Sequence, residues 1–311
     1  MKHITPIQSN KSNSTEIRYA ATVGLFDGVH AGHRFLIEEL KQAASARGLK
    51  TLIITFANHP QSLFNPSFEP QWIATLEEKI TLLKQTGVDE VIALDFTQAV
   101  ADLTAESFIQ TMLFQQYKVS FLLVGHDHRF GKNRTDAFPE YVNYGKAVGM
   151  EVQQAKRWET ANYHQISSTT IRKALAVGDI NTANVLLTYP YSFSGKVISG
   201  YKVGRKIGFP TANLQVLDPH KIIPALGVYM VDILWKNQSY RGMMNIGKRP
   251  TIDNSNHISI EVHILDFNQD IYHDVLQVKF LKKIRDEQKF ESIEALIKQL
   301  HKDRDFVRKN S

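Results

Sequence analysis

The sequence predicts an α/β N-terminal domain with a parallel sheet over residues 1–187 and an antiparallel β-barrel with a closing helix over residues 188–311. The length of 311 residues favours two domains. In the first half, short apolar stretches alternate with stretches of helical periodicity, as in a parallel sheet covered by helices. After Tyr189-Pro190-Tyr191, short alternating segments separated by turn residues indicate an antiparallel sandwich or barrel.

The first half begins with a predicted βαβ unit. Residues 19–26 are short and apolar, residues 32–47 carry apolar side chains at helical spacing before Gly48, and residues 51–56 form a continuous β-branched run. Further helices are predicted at 75–85 and 104–116, and further strands at 91–96, at 121–124 and near Glu151. Ligands are therefore expected at the carboxyl ends of parallel strands.

The second half is predicted to be a barrel with one helix packed on it. Alternating segments occur at 193–199, 227–235, 240–246, 258–265 and 275–281. Near the chain end, apolar residues recur at i, i+3, i+4 and i+7, which predicts an amphipathic helix. These residues are Ile293, Leu296, Ile297 and Leu300.

Composition excludes several classes of protein. The absence of cysteine rules out a disulfide framework, a thiolate zinc site, an iron–sulfur cluster and a cysteine nucleophile. The polar start and the lack of an apolar run near 18 residues predict a cytoplasmic protein. The net charge of +6 is a mild excess, and it does not choose between nucleotide and nucleic acid as a partner.

The first candidate site lies where the first strand turns into the first helix. Gly24, Gly28 and Gly32 allow the backbone to approach a ligand, and a helix N-terminus offers unpaired N–H groups to phosphate. His30 and His33 flank Gly32, so both imidazoles could donate hydrogen bonds to charge that develops during phosphoryl chemistry. A glycine-rich turn with a helix-capping histidine is the structural alternative.

A second segment, Ile166-Ser-Ser-Thr-Thr-Ile-Arg172, has hydroxyls in a predicted first helical turn. Ser168 and Thr169 could bind phosphate oxygens, and the guanidinium of Arg172 could add a charge-assisted contact. An ordinary helix cap with a surface arginine is the alternative.

The second candidate site lies in the barrel half. The chain has no GxxxxGK[ST] motif, so kinase chemistry would need another phosphate cradle, which Gly204, Arg205 and Lys206 could supply. Thr211 and Asn213 carry the hard oxygen ligands that Mg²⁺ and phosphate favour. Glu261 lies on a predicted strand and could accept a proton from a substrate hydroxyl. A basic hairpin and an exposed strand glutamate are the alternatives.

The first-half motifs, Gly24-x-Phe-Asp-Gly-x-His-x-Gly-His33 and Ile166-Ser-Ser-Thr-x-Ile-Arg172, resemble the nucleotidyltransferase module of bacterial bifunctional riboflavin kinase/FAD synthetases. The resemblance covers nearly all of the first domain and implies a Rossmann-like fold. It implies flavin contacts from Asn58 and Asp127. The residues it implies at ATP and its phosphates are Gly24, Phe26, Asp27, Gly28, His30, Gly32, His33, Ser168, Thr169 and Arg172, with His30, His33 and Arg172 catalytic.

The second half resembles the riboflavin kinase module of the same family. Matching segments include Pro210-Thr-Ala-Asn213, Glu261-Val-His-Ile-Leu-Asp-Phe267 and Arg285-Asp-Glu-Gln-Lys-Phe290. The resemblance implies that Thr211 and Asn213 bind a divalent metal and ATP phosphates, with Gly204 and Arg205 also on the ATP side. It implies that Glu261 is the general base and that Arg285 lies near the flavin.

The resemblance implies an enzyme that phosphorylates riboflavin to FMN with MgATP and then joins FMN to AMP from a second ATP, giving FAD and pyrophosphate. Its partners would be small molecules, with no nucleic acid or membrane, in a monomer or weak homo-oligomer. Leu25 and His126 depart from the family pattern, which leaves open a riboflavin kinase with a divergent or weakly active N-terminal domain. A non-catalytic flavin- or RNA-binding regulator is the third hypothesis.

Overall fold

A computed structural model describes residues 17–126, 128–132, 135–158, 166–200, 203–248 and 258–310. By internal contacts the chain divides into two compact units that interleave along the sequence. Within the described residues, the first unit contains 17–24, 36–57 and 84–157, and the second contains 25–35, 58–83 and 158–310. The boundary between the nucleotidyltransferase and riboflavin kinase domains, placed between residues 187 and 188 from the sequence, stays a prediction.

The first unit is built on a five-stranded parallel sheet, as predicted. Its strands are β1 (Tyr19–Val23), β2 (Lys50–Phe56), β3 (Glu90–Leu94), β4 (Val119–Val124) and β5 (Glu151–Gln154). The strand order is β3-β2-β1-β4-β5, a Rossmann-like arrangement with β1 central. Ala21 of β1 pairs with Leu52 on one side and Leu122 on the other. The central strands are buried on both faces, which explains their continuous apolar runs.

Three predicted helices of the first half are confirmed. The helices here are α1 (Ala31–Arg47), α2 (Pro60–Phe64), α3 (Leu76–Lys84), α4 (Gln98–Ala101), α5 (Ala105–Ser107) and α6 (Phe138–Ala147). Helix α5 continues as a π-helix over Phe108–Gln116, so the predicted segment 104–116 is helical but more widely wound in its second part. Leu113 and Tyr141 pack in the core formed by β1, β2 and β4.

The second unit contains a closed six-stranded antiparallel barrel. Its strands are β6 (Ser192–Ile198), β7 (Ala212–Val216), β8 (Gly227–Trp235), β9 (Gln238–Lys248), β10 (Ile258–Ile264) and β11 (Val275–Arg285). They follow the order β10-β7-β6-β11-β8-β9, and β9 pairs with β10 to close the barrel. Strand β7 was not predicted, because Pro210 and Asn213 are residues typical of turns.

Two helices of the first sequence half pack with the barrel core. These are α7 (Ser168–Val177) and α8 (Ile180–Leu187). Ile171 and Leu186 lie in one cluster of buried residues with Phe193 and Phe280 of the barrel. A short helix, α9 (Val203–Lys206), lies where a basic hairpin was the structural alternative to a phosphate cradle.

The closing helix, α10 (Ile293–Lys309), is confirmed. Leu300 and Val307 pack against Phe209 and Met230, so the helix covers part of the barrel. The predicted burial of Ile293 is wrong, because this first residue of the helix is 61% exposed. Within the described ranges, no helix is both long enough and apolar enough to span a membrane.

Candidate active sites

The turn between β1 and α1 has an unusual backbone. Phe26, Gly28 and Val29 all adopt positive φ angles, of 51°, 78° and 39°. Such angles are uncommon for residues with a side chain and often occur at functional sites. A β-carbon on Gly28 would lie 2.7 Å from Cγ2 of Ile73, so only glycine fits there. The Gly24 N–H at the start of the turn donates to the Ile54 carbonyl at 3.0 Å.

His30 and His33 lie together at the start of α1. Their rings stack with centroids 3.6 Å apart and an angle of 16° between planes. The His33 N–H donates to His30 Nδ1 at 3.4 Å, so His30 also caps the helix. A β-carbon on Gly32 would lie 3.3 Å from the His30 ring, and glycine leaves that space open.

Burial keeps both imidazoles neutral near pH 7. It lowers the pKa of His30 to about 4, and it also lowers the pKa of His33, with His30 and Lys79 adding to the effect. A neutral imidazole has one N–H donor and one acceptor nitrogen. His33 Nδ1 is buried and has no hydrogen-bond partner among the residues that the structure describes.

Asp27 anchors Arg172 beside this turn. The Asp27 side chain is 1% exposed, and it accepts bonds from the backbone N–H groups of Ile73 at 3.1 Å and Ala74 at 3.0 Å. Arg172 Nη2 donates to Asp27 Oδ2 at 2.5 Å, and Arg172 Nε donates to the Gln71 carbonyl at 2.9 Å. Burial raises the pKa of Asp27, and the Arg172 cation and the two amides oppose that rise.

The predicted hydroxyl groups lie at the start of α7, and one of them contacts Asp27. Ser167 is the N-cap, and its Oγ accepts from the Thr170 N–H at 3.2 Å. Ser168 Oγ donates to the Asp27 carbonyl oxygen at 3.0 Å, whereas Thr169 is exposed on the same turn. The structure thus brings Ser168 and Arg172 to Asp27, which precedes His30 by three residues in the turn between β1 and α1.

Lys79 is a further residue of this region, and its role there was not predicted from the sequence. Lys79 lies on α3 and is 2% exposed, and its Nζ donates to the Leu25 carbonyl at 3.2 Å. Burial lowers its pKa to about 8, although Asp27 opposes the shift. A lysine on an amphipathic helix normally reaches solvent, so the sequence pattern carried no signal for this burial.

The first unit contains a separate polar cavity beyond the end of β4. It has a volume of about 300 Å³, and its lining includes His126, His128, Arg129 and Gln154. Asp127, the predicted flavin contact, lies outside the described residues. Arg129 was not predicted as a site residue. Asn58, the other flavin contact predicted in the first half of the sequence, belongs to the second unit. It is exposed and lies two residues after the end of β2.

In the barrel, strand register assembles the predicted kinase residues. Glu261 of β10 pairs with Asn213 of β7 on one side and Asn245 of β9 on the other. Residues directly opposite one another on neighbouring strands share a face, so the three polar side chains form a row. Thr211 Oγ1 donates to Glu261 Oε2 at 3.1 Å. Asn245 was missed as a site residue because its place beside Glu261 depends on strand register.

The loop before β7 is held tightly against its neighbours. A β-carbon on Gly204 would overlap the Phe209 carbonyl oxygen, so glycine is required in α9 for this packing. His263 Nδ1 lies 2.7 Å from the Pro210 carbonyl oxygen, one residue before Thr211. Burial lowers the pKa of His263, which favours the neutral ring in that contact.

Two cavities meet at Thr211, which lines both of them. The first has a volume of about 310 Å³ and includes Glu261, Arg285 and apolar side chains such as Phe209 and Leu300. The second has a volume of about 530 Å³ and is lined by polar and apolar groups. Its residues include Arg205, Asn268, Asp270 and Tyr272.

Arg285 is fixed by an ion pair at the edge of the smaller cavity. Its Nε lies 3.0 Å and its Nη2 2.9 Å from Oδ2 of Asp303, a residue of α10 that is 1% exposed. The Arg285 guanidinium also lies 5.7 Å from the centre of the Phe290 ring. An arginine beside an aromatic ring suits the edge of a pocket for a planar ligand.

Comparison with known proteins gives the same division into two activities. Residues 12–170 match the family described as FAD synthetase, and residues 187–311 match the family described as riboflavin kinase. A crystal structure described as a macrolide-efflux protein from Streptococcus pneumoniae superposes with a TM-score of 0.87 at 35% identity, covering 98% of each chain.

Several curated relatives match over almost the whole chain. A bifunctional riboflavin kinase/FMN adenylyltransferase from Listeria monocytogenes is 37% identical and covers 93% of this chain and 91% of its own. The Escherichia coli enzyme of that name is 37% identical, covering 94% and 93%, and that from Haemophilus influenzae is 38% identical, covering 91% of each. The chain belongs to the bifunctional riboflavin kinase/FMN adenylyltransferase family, and it has both of these activities.

Proposed function

We propose that the two reactions use two separate sets of residues. The set around Thr211, Asn213 and Glu261 phosphorylates riboflavin, and the set around His30, His33 and Arg172 transfers AMP to FMN. The observation that carries the first assignment is that Thr211 lines both barrel cavities while its hydroxyl is bonded to Glu261. A phosphoryl group passing between two bound substrates needs such a junction.

In the kinase reaction, riboflavin occupies the smaller cavity and ATP the larger. Phe209 and Leu300 supply apolar surface for the flavin ring, and Arg285 lies at its edge. Glu261 accepts the proton of the ribityl 5′-hydroxyl as that oxygen attacks the γ-phosphorus, and ADP leaves. Arg205 lines the larger cavity and lies on the side where the ATP phosphates would bind, whereas the preceding residue of α9, Gly204, lines the smaller cavity.

Thr211 and Asn213 are the residues that would hold Mg²⁺. Their side-chain oxygens are hard ligands, and Asn213 is buried with Gly200 packed directly against its amide. Mg²⁺ usually takes only one or two protein ligands and completes its shell with phosphate oxygens and water, which fits this sparse donor set. When bound, the ion would neutralise charge on the phosphates. The described residues contain no group of three or more acidic or histidine side chains placed to hold a metal.

In the adenylyl transfer, a phosphate oxygen of FMN attacks the α-phosphorus of ATP and pyrophosphate leaves. The neutral imidazoles of His30 and His33 can donate hydrogen bonds to the developing charge, and Arg172 can stabilise the pyrophosphate. The unpartnered Nδ1 of His33 and the anchored guanidinium of Arg172 support these roles. Gly24, Gly28 and Gly32 let the turn approach the phosphates, with Phe26 buried beneath His33.

Asp27 would act on ATP through Arg172. A buried carboxylate repels phosphate, and Asp27 already accepts bonds from two amides and from Arg172. We propose that Asp27 orients Arg172 through its carboxylate and the Ser168 hydroxyl through its main-chain carbonyl. Thr169, exposed one residue later, remains available for a phosphate oxygen.

For the FMN of this second reaction, Asn58 and Asp127 remain the predicted flavin contacts. The departure at Leu25 has a limited effect in this scheme. Lys79 bonds to the Leu25 main-chain carbonyl, a contact that does not depend on the side chain at that position.

The test is separation of the two activities. With riboflavin, ATP and Mg²⁺, His33→Ala should accumulate FMN while FAD formation falls by at least about a hundredfold, the usual loss for one transition-state donor. Glu261→Gln should form little FMN from riboflavin but convert supplied FMN to FAD. If either variant lost both activities while folded, the assignment of residues to reactions would be wrong. A cytoplasmic location and a monomeric or weakly associated state remain predictions.

A further inference from the structure

Lys221 is a buried cation in the loop between β7 and β8. It is 5% exposed, and its Nζ donates to the Ile73 carbonyl at 2.7 Å and forms an ion pair with Glu78. The ring of Tyr191 lies 5.1 Å from the same nitrogen. A buried lysine is retained only where its charge is compensated, so these contacts are a built feature of the second unit.

The contacts of Lys221 hold one short stretch, Gln71–Ala74, which we name the connecting segment. The Trp72 N–H donates to the His220 carbonyl at 2.8 Å, and the Ile222 N–H donates to the Trp72 carbonyl at 3.1 Å. Trp72 and Lys221 thereby form an isolated parallel bridge. Glu78, the partner of Lys221, also accepts from the Thr75 N–H at 2.9 Å, which fixes the start of α3 beside the segment.

The same segment holds the adenylyl-transfer residues from its other side. The N–H groups of Ile73 and Ala74 donate to the Asp27 carboxylate, and the Gln71 carbonyl accepts from Arg172 Nε. The Ile73 N–H therefore donates a hydrogen bond to Asp27, and the Ile73 carbonyl accepts one from the Lys221 ammonium. Only three covalent bonds of Ile73, N–Cα, Cα–C and C=O, separate the nitrogen that contacts Asp27 from the oxygen that contacts Lys221.

We propose that Lys221, a residue of the kinase half of the sequence, is a positioning residue for adenylyl transfer. It acts through the connecting segment on Asp27 and Arg172. This inference rests on the role proposed above for Arg172. Without the ammonium, the Ile73 carbonyl and Glu78 lose their common partner. The main-chain bonds of Trp72 still hold the segment to the β7–β8 loop, but Ile73, the residue that contacts Asp27, loses its own contact with that loop. A displacement of about 1 Å in a positioning group can reduce a rate by about a hundredfold.

The first test replaces the cation with a neutral side chain of similar length. In Lys221→Met, FAD formation from FMN and ATP should fall by about ten- to a hundredfold, through kcat more than through KM for FMN. FMN formation from riboflavin in the same preparation should change by less than about twofold, since Lys221 lines neither barrel cavity. Lys221→Arg, which keeps the charge, should recover most of the loss. Lys298→Met, on the exposed face of α10, is the matched control.

A double-mutant cycle with Arg172→Ala separates positioning from general damage. If Lys221 acts through Arg172, Lys221→Met should slow FAD formation by less than about twofold in the Arg172→Ala background. An equal fold loss in both backgrounds would overturn the proposal, and so would full FAD formation by Lys221→Met alone. If Arg172→Ala itself leaves FAD formation intact, the proposed role of Arg172 fails instead.

Should Lys221→Met lose the kinase activity as well, Glu78→Gln takes its place in the same cycle. This variant keeps the shape of the side chain and removes the negative partner of Lys221. We expect the same selective loss of FAD formation and the same absence of additivity with Arg172→Ala. Unchanged FAD formation in Glu78→Gln, or a loss that multiplies with that of Arg172→Ala, would overturn the proposal.

Discussion

Burial of His30 should make the stability of the protein fall as pH decreases below 6.5. The folded protein keeps this imidazole neutral because its pKa lies at about 4, whereas the unfolded chain binds a proton near 6.5. Above pH 6.5 both states are neutral and His30 contributes no pH dependence. Between 6.5 and about 4 only the unfolded state gains the proton, so the free energy of unfolding falls in that window.

The magnitude follows from the two pKa values. A tenfold difference in proton affinity corresponds to about 1.4 kcal/mol, so the full difference for His30 corresponds to about 3 kcal/mol. At about pH 5 the loss should have reached about 2 kcal/mol. The side chain is 6% exposed, so solvent screens little of this effect.

Urea unfolding, followed by circular dichroism at about pH 7.5 and about pH 5, tests this expectation. The wild type should lose about 2 kcal/mol more than His30→Gln between the two conditions. His220→Gln removes an exposed imidazole and is the control for that change. Equal losses in wild type and His30→Gln, or an NMR titration of the His30 ring near pH 6.5, would refute the reasoning.

Three further outcomes follow from the contacts described above. Asp303→Ala should lower the free energy of unfolding, measured with urea, by about 3 kcal/mol, because the substitution leaves Arg285 without its buried partner. Asp305 is exposed on the same helix, so the control Asp305→Ala should change the free energy of unfolding by less than about 0.5 kcal/mol, and similar losses in the two variants would contradict the prediction. Gly28→Ala should lower the free energy of unfolding by about 1–3 kcal/mol and impair FAD formation, because the left-handed backbone and Ile73 both oppose a β-carbon. A wild-type urea midpoint in this variant would refute the conclusion that only glycine fits at position 28. EDTA should stop FMN formation and Mg²⁺ should restore it, as measured by chromatography, whereas unchanged turnover in EDTA would exclude a metal requirement.

The parts of the fold that depend on local pattern were predictable. Residues 51–56 are continuously apolar because β2 is buried on both faces, and the spacing of His30 and His33 places both at one helix start. The antiparallel character of the second half followed from alternation, and the turn at Lys236-Asn237 has the positive φ angles of a tight hairpin.

The parts that depend on tertiary register were not predictable. Asp27 and Ile73 are 46 residues apart, and Ile73 and Lys221 are 148 apart, so no local pattern indicates either contact. Asn245 becomes part of the Glu261 row only through the pairing of β9 with β10. Sequence motifs identified the residues with reactive side chains, whereas the groups that orient them have the ordinary appearance of a core lysine or a strand asparagine.

The main-chain pairing of Trp72 with residues 220–222 bears on how such enzymes can be recombined. The two family matches are consecutive along the chain, which suggests that one half could be exchanged for that of a relative by a single crossover near residue 187. Yet the stretch 58–83 from the first half belongs to the same compact unit as the barrel. A functional chimera would have to inherit residues 58–83 and the β7–β8 loop from the same parent. A single crossover near residue 187 would separate these two segments, so it would not follow the division of the structure into compact units.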